Sequence, residues 1–66
     1  MQSYKDNGGS VWRLRPLRYG RGYAGVLWQI VREADWKPLN EKLYLSRTMA
    51  RKALSVLAAK RGWTEA

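Results

Sequence analysis

From Val11 the chain alternates, Val-Trp-Arg-Leu-Arg-Pro-Leu-Arg-Tyr, with Trp12 and Leu14 on one side and Arg13 and Arg15 on the other. A period of two predicts a strand with one buried face. Pro16 lacks the N–H that a ladder uses, which places this strand at a sheet edge. Gly20-Arg21-Gly22 reads as a tight reversal, because glycine supplies positive φ at low cost. Tyr19 and Tyr23 flank it, either as a cross-strand pair or as platforms for unpaired bases. Residues 23–34 are apolar on both faces, with Val26, Trp28 and Ile30 in one row and Leu27 and Val31 in the other. A strand buried on both sides belongs in the middle of a sheet. Pro38 and Asn40 break residues 35–40 into a loop. Residues 42–45 then form a short third strand that turns Leu43 and Leu45 inward.

The period changes after Ser46, a good N-cap. Over residues 47–61, Met49, Ala50, Ala53, Leu54, Val56 and Leu57 fall within one stripe at helical spacing, and Gly62 stands where a helix C-cap belongs. Asn7-Gly8-Gly9-Ser10 favours a turn and cannot pack. Residues 1–10 therefore read as a flexible leader, 11–63 as a single domain and 64–66 as a tail. The predicted fold class is α+β: a three-stranded antiparallel meander with one C-terminal helix on one face (βββα), and Trp12 and Trp28 in its core.

The 66-residue length is near the lower limit for independent folding; such a chain buries only about 60 % of its unfolded surface. With no Cys and no His, neither a disulfide nor a zinc site of the usual ligands is available. Stability must come from packing around the Trp residues or from a second copy, so a homodimer is one expected arrangement. Apolar runs such as Val26-Leu27-Trp28 fall far short of the ~20 residues of a membrane span. The first ten residues lack the apolar segment of a signal peptide. A cytoplasmic protein without a membrane partner is expected.

Charge sharpens this picture. The net charge is +8, which favours an acidic partner that relieves self-repulsion. Residues 11–22 hold Arg13, Arg15, Arg18 and Arg21 without an acid, and residues 47–61 hold Arg47, Arg51, Lys52, Lys60 and Arg61 without an acid. Between these blocks the charges cancel. Eight of the thirteen cations are Arg, the residue that forks onto phosphate or guanine and stacks on bases.

The catalytic inventory is short. Without His or Cys neither a triad nor a thiolate nucleophile can be built, and Gly20-Arg21-Gly22 lacks the spacing and following Lys of a phosphate loop. Glu33 and Asp35 could together ligate a hard cation, but beside Arg32 they read as local neutralisers. The expectation is a binder, not an enzyme, with no cofactor and no metal.

Candidate nucleic-acid contacts are Arg13, Arg15 and Gln29 on the sheet face away from the helix, with Arg18 and Arg21 toward the reversal. A two-stranded ribbon of this kind fits the major groove. On the helix, Arg47, Arg51 and Lys52 form a second set. Arg47 and Arg51 are like charges four apart, in the first turns where the helix dipole prefers anions. A docked phosphate would relieve both conflicts. Lys60 and Arg61 suit a helix C-terminus on stability grounds alone. DNA is the favoured partner, ahead of RNA. The alternative is an acidic protein, for which exposed Trp36, Tyr44 and Trp63 would be the contact residues.

The element order, with Gly20-Arg21-Gly22 at the first turn, Trp28 in the middle strand and a helix opening at Ser46, resembles the arm-type DNA-binding domain of tyrosine recombinases. The likeness is one of layout over residues 11–62. It implies a sheet laid in the major groove through Arg13, Arg15 and Gln29, in an accessory protein of a phage or mobile element. The long second strand and the Pro38 loop depart from that family.

Overall fold

The computed structural model describes residues 3–18 and 25–66. Its elements are β1 (Ser3–Lys5), β2 (Val11–Arg18), β3 (Val26–Arg32), α1 (Arg47–Arg61) and β4 (Thr64–Glu65). The sheet is antiparallel in the order β3-β2-β1-β4. The α+β class with one helix after a three-stranded meander holds, but the strands are not the three expected. Residues 3–5, assigned to a leader, form β1, and the 64–66 tail supplies β4. The expected third strand at 42–45 is a single bridge between Tyr44 and Trp28.

The turn between β1 and β2 explains the first difference. Asp6 N–H donates to Ser10 O at 2.8 Å and Gly9 N–H donates to Asp6 O at 3.1 Å, with Gly9 at φ 89°. This is a three-residue hairpin loop closed by a left-handed glycine. The Asp6 carboxylate also accepts the Gly8 and Ser10 N–H groups, each at 2.9 Å. Asn7-Gly8-Gly9 is indeed a turn, and it joins two strands.

Pairing makes β2 an inner strand and not an edge. Glu33 N–H donates to Val11 O at 2.8 Å, so the odd-numbered positions of β2 carry the bonds to β3 and the even positions point to the other side. Pro16, opposite Trp28, is therefore a residue whose N faces away from β3. It also lies beyond the last β1 partner, Arg13 opposite Ser3. The missing donor falls on a stretch with no described strand beside it. The edge inference was right for Pro16 and wrong for the strand as a whole.

Ile30 and Val31 are adjacent and both buried, as a strand apolar on both faces requires. Yet β3 is the terminal strand. Its outer edge is bonded by an irregular segment: Arg32 N–H donates to Lys37 O, Leu39 N–H donates to Ile30 O, and Trp28 and Tyr44 exchange a bond in each direction, all at 2.8–2.9 Å. Three extra residues intervene between the Leu39 and Tyr44 pairings, and they bring Tyr44 inward. Leu43 and Leu45, expected inside, are exposed.

The helix begins and ends as its sequence predicts. Ser46 Oγ accepts Met49 N–H at 3.1 Å, and Gly62 is left-handed at φ 72°. Trp63 N–H closes the cap by donating to Ala58 O at 2.8 Å, the longer bond of a Schellman motif. Ala50, Leu54 and Ala58 form the fully buried row. They pack on the sheet face that carries Trp12, Leu14 and Ile30. Among the described residues no helix is long and apolar enough to cross a membrane.

The cap turns the chain so that Trp63 stacks on Trp12, with ring centroids 5.9 Å apart and planes inclined by 14°. Trp63, whose exposure the protein-contact alternative requires, is half-buried. No heavy atom would crowd a Cβ at Gly62, so a substitution there meets only the backbone penalty. Gly62→Ala should lower stability by about 1 kcal/mol and weaken the near-UV circular dichroism of the stacked indoles, while Gly62→Asn should lose less. Equal stability of all three proteins in urea would contradict this account of the cap.

Candidate nucleic-acid interface

Cross-strand pairing sets the candidate residues on the sheet. Arg15 lies opposite Gln29 and Arg13 opposite Val31. Odd-numbered positions of β2 and β3 point away from the helix, so Arg13, Arg15 and Gln29 share the open face. Val31, between them, is fully buried although no helix lies there. Its backbone neighbours are Arg13 and Pro38, and the half-buried Arg13 can lay its aliphatic stem over it.

Trp36 completes this face. The loop after β3 closes with Trp36 N–H donating to Arg32 O at 2.7 Å, and Trp36 adopts φ 60°. Gly9 holds the corresponding left-handed place in the first hairpin. A bulky residue in that conformation is disfavoured by roughly 1–2 kcal/mol. Here it carries the indole onto the sheet: the Arg15 guanidinium carbon lies 5.1 Å from the ring centroid and that of Arg13 lies 5.8 Å from it. Both are within cation–π range. The residue as a whole remains 47 % exposed, beside two cations.

Asp35 fixes this loop. Its carboxylate receives Arg32 Nε at 3.0 Å and an Arg32 terminal nitrogen at 2.7 Å, and accepts Lys37 N–H at 3.2 Å. The Arg32 bond is the main reason its pKa is lowered to about 2. The same bond raises that of Arg32. The expected neutralisation of Arg32 is thus performed by Asp35. Arg32 also sits over the Trp12 ring at 5.8 Å, and Trp12 Nε1–H donates to Asp6 Oδ2 at 2.9 Å. That indole bond is the first cause holding the Asp6 carboxyl below the usual range, helped by the Ser10 N–H.

The helix set lies elsewhere. Arg47 and Arg51 occupy one i, i+4 row flanking the buried row, and Lys52 lies on the outermost row with Val56 and Lys60. All three candidate cations are exposed. They belong to the helix layer, whereas Arg13 and Arg15 project from the opposite side of the sheet. The structure joins Arg13, Arg15 and Gln29 and does not bring Arg47, Arg51 or Lys52 to them. Arg18, at the end of β2, is exposed on the helix-side parity. Arg21, with the Gly20-Arg21-Gly22 reversal, Tyr19 and Tyr23, lies outside the described residues. Among the protein-contact candidates, Trp36 belongs to the arginine face, Tyr44 is half-buried at the β3 edge and Trp63 is stacked on Trp12. Among the described residues the one ion pair is Arg32–Asp35, and no group of three or more His, Cys, Asp or Glu could hold a metal ion.

Sequence reasoning separated Trp36 from the arginines that it contacts. A glycine at position 36 would have signalled the left-handed turn; a tryptophan gave no such sign. No protein-family model, curated protein or solved structure matches the chain.

The two lowered carboxyls give a definite acid response. In the unfolded chain each returns toward 3.8, so their contribution is complete above that value and disappears as pH falls through the folded pKa values. Urea midpoints should therefore change little between pH 7 and pH 5 on their account and drop between roughly pH 4 and pH 2. Asp35→Asn should flatten part of that drop. A midpoint independent of pH below 4 would remove these carboxylates from the stability of the fold.

Proposed function

We propose that this protein is a non-enzymatic nucleic-acid-binding module, acting in the cytoplasm, that applies the open face of its sheet to a phosphate backbone. The observation that carries the reading is the alignment of Arg13 and Arg15 against Trp36, with Gln29 beside them and no ion pair to either arginine among the described residues. Two guanidinium groups resting on one indole lose less freedom on binding than free side chains would. Each keeps its in-plane N–H fork for phosphate oxygens or a guanine edge. Gln29, paired with Arg15, adds an amide that could read adenine.

Duplex DNA is the preferred target, because a sheet face of this width suits a groove and the net charge of +8 suits a polyanion. The helix cations Arg47, Arg51 and Lys52 face another direction. They would contribute through the long-range field, or to a strand that wraps around the domain.

Anisotropy titrations against duplex DNA, single-stranded DNA and RNA, each at several salt concentrations, test the proposal. Duplex affinity should fall steeply with salt. The Arg13→Ala, Arg15→Ala double variant should shallow the log–log slope by about 1.8, which corresponds to two phosphate contacts. Absence of binding at low salt, or an unchanged slope in the double variant, would reject this interface. Tighter binding of a single strand would shift the role of Trp36 from ordering the arginines to stacking on a base.

Trp36→Gly separates function from folding. Glycine relieves a left-handed strain of roughly 1–2 kcal/mol while deleting two exposed cation–π contacts of about 0.5–1 kcal/mol each. Stability should therefore stay within about 1 kcal/mol of the parent, and duplex binding should weaken severalfold. A variant that binds as well as the parent would show that the indole has no part in recognition.

A further inference from the structure

A second surface lies on the helix side of the sheet. The apolar stripe of α1 spans about 160° at 100° per residue, from Val56 round to Leu54, and only its Ala50–Leu54–Ala58 side is fully buried. Met49 is 53 % exposed and Val56 is 56 % exposed. With Ala53 and Leu57 they form one wall of a groove of about 620 Å³, whose other wall is Leu39 and Tyr44 and whose floor includes Ile30. That volume lies within the roughly 300–1,000 Å³ of ligand clefts. Lys42, Lys52 and Lys60 also line it, and among the described residues no Asp or Glu does.

We propose that this groove docks an acidic amphipathic helix of a partner protein. Three lysines around an apolar trough complement Glu or Asp flanking Leu-type anchors, the helix-in-groove mode of recognition. Charge argues against a second copy, which would bring three more lysines and a net charge of +8 to the same place. An added strand is opposed too: both outward groups of Trp28, the Ile30 carbonyl and the Arg32 N–H are already bonded to residues 37–44. What remains open is side-chain space alongside a 15-residue helix. A partner helix of about four turns, near 22 Å, would match its length.

The probe is a labelled synthetic peptide of about four turns, with Leu at i, i+3, i+4 and i+7 and Glu at the intervening positions. It should bind the full chain and shift the amide resonances of Leu39, Met49, Ala53 and Val56. Charge-neutral Met49→Ser, Val56→Ser should weaken it at least about tenfold, as should Lys52→Gln, Lys60→Gln, with the circular dichroism of the fold retained in each. Equal binding of the same peptide with Lys for Glu, or shifts that avoid the groove, would overturn the proposal. So would a concentration-dependent dimer lost in Met49→Ser, Val56→Ser, or attachment to phosphatidylserine vesicles without peptide binding. Arg13→Ala, Arg15→Ala should weaken the peptide far less than the groove variants do, through the long-range field alone, and Met49→Ser, Val56→Ser should leave duplex affinity unchanged, so the two proposals stand or fall separately.

Discussion

The stack of Trp63 on Trp12 is the contact through which distant parts of this small chain are tied together. Trp12 sits at the centre of the β1–β2–β3 sheet, opposite Tyr4 on one side and Arg32 on the other. Its indole N–H is bonded to Asp6 and its ring lies beneath Arg32. Trp63 adds the end of the helix, and Arg61 packs over that second ring at 5.7 Å. A near-parallel aromatic pair contributes about 0.5–1.5 kcal/mol beyond the area that it buries. That is a large share for a domain whose fully buried residues are only Ile30, Val31, Ala50, Leu54 and Ala58 among those described. With no cysteine in the chain, no disulfide can do this, and the same contact joins the turn at Asp6, the sheet and the helix cap.

Closure by Trp63 also explains β4. Once the left-handed Gly62 has directed Trp63 onto Trp12, the next residues run beside β1. Lys5 pairs with Thr64 and Tyr4 with Glu65, and Ala66 N–H donates to Ser3 O at 2.9 Å. Two segments that look like tails in the sequence cover each other's sheet edge. Neither has a buried row of its own, so neither shows the alternation that marks a strand.

This defines what could be read from the sequence. Local, strong preferences were legible: Ser46 and Gly62 as caps, the period-two run at Val11, the glycine turn at 7–10 and the two-sided burial of Ile30 and Val31. Choices made by tertiary context were not. Whether Tyr4 or Tyr44 lies in a strand depends on which edge the chain reaches, and both segments are short. An Asp-Asn-Gly-Gly stretch after Ser-Tyr-Lys is a hairpin signal that could have recovered β1. The groove was foreshadowed by the width of the helix stripe, since a stripe near 160° exceeds what one sheet covers. In the structure the buried row is Ala50, Leu54 and Ala58, and Met49 and Val56 are left open. Trp36 at φ 60° could not have been foreseen, because its conformation defies the local preference of its own residue type.

The two cationic surfaces differ in the residue that each uses, and the difference follows from what lies beneath. On the open sheet face the cations are Arg13 and Arg15, stacked on an indole. A planar guanidinium can rest on a ring and still present its donors in the plane. Beside the helix groove they are Lys42, Lys52 and Lys60, whose long stems can lie along Leu39, Val56 and Leu57 while the ammonium groups stay in water. Arginine on tryptophan makes a rigid, directional array suited to fixed acceptors. Lysine around an apolar trough makes a compliant rim suited to carboxylates on a mobile side chain. Few of the described residues are buried, and on these two surfaces, one on each side of the sheet, exposed cations meet an aromatic ring or an apolar trough.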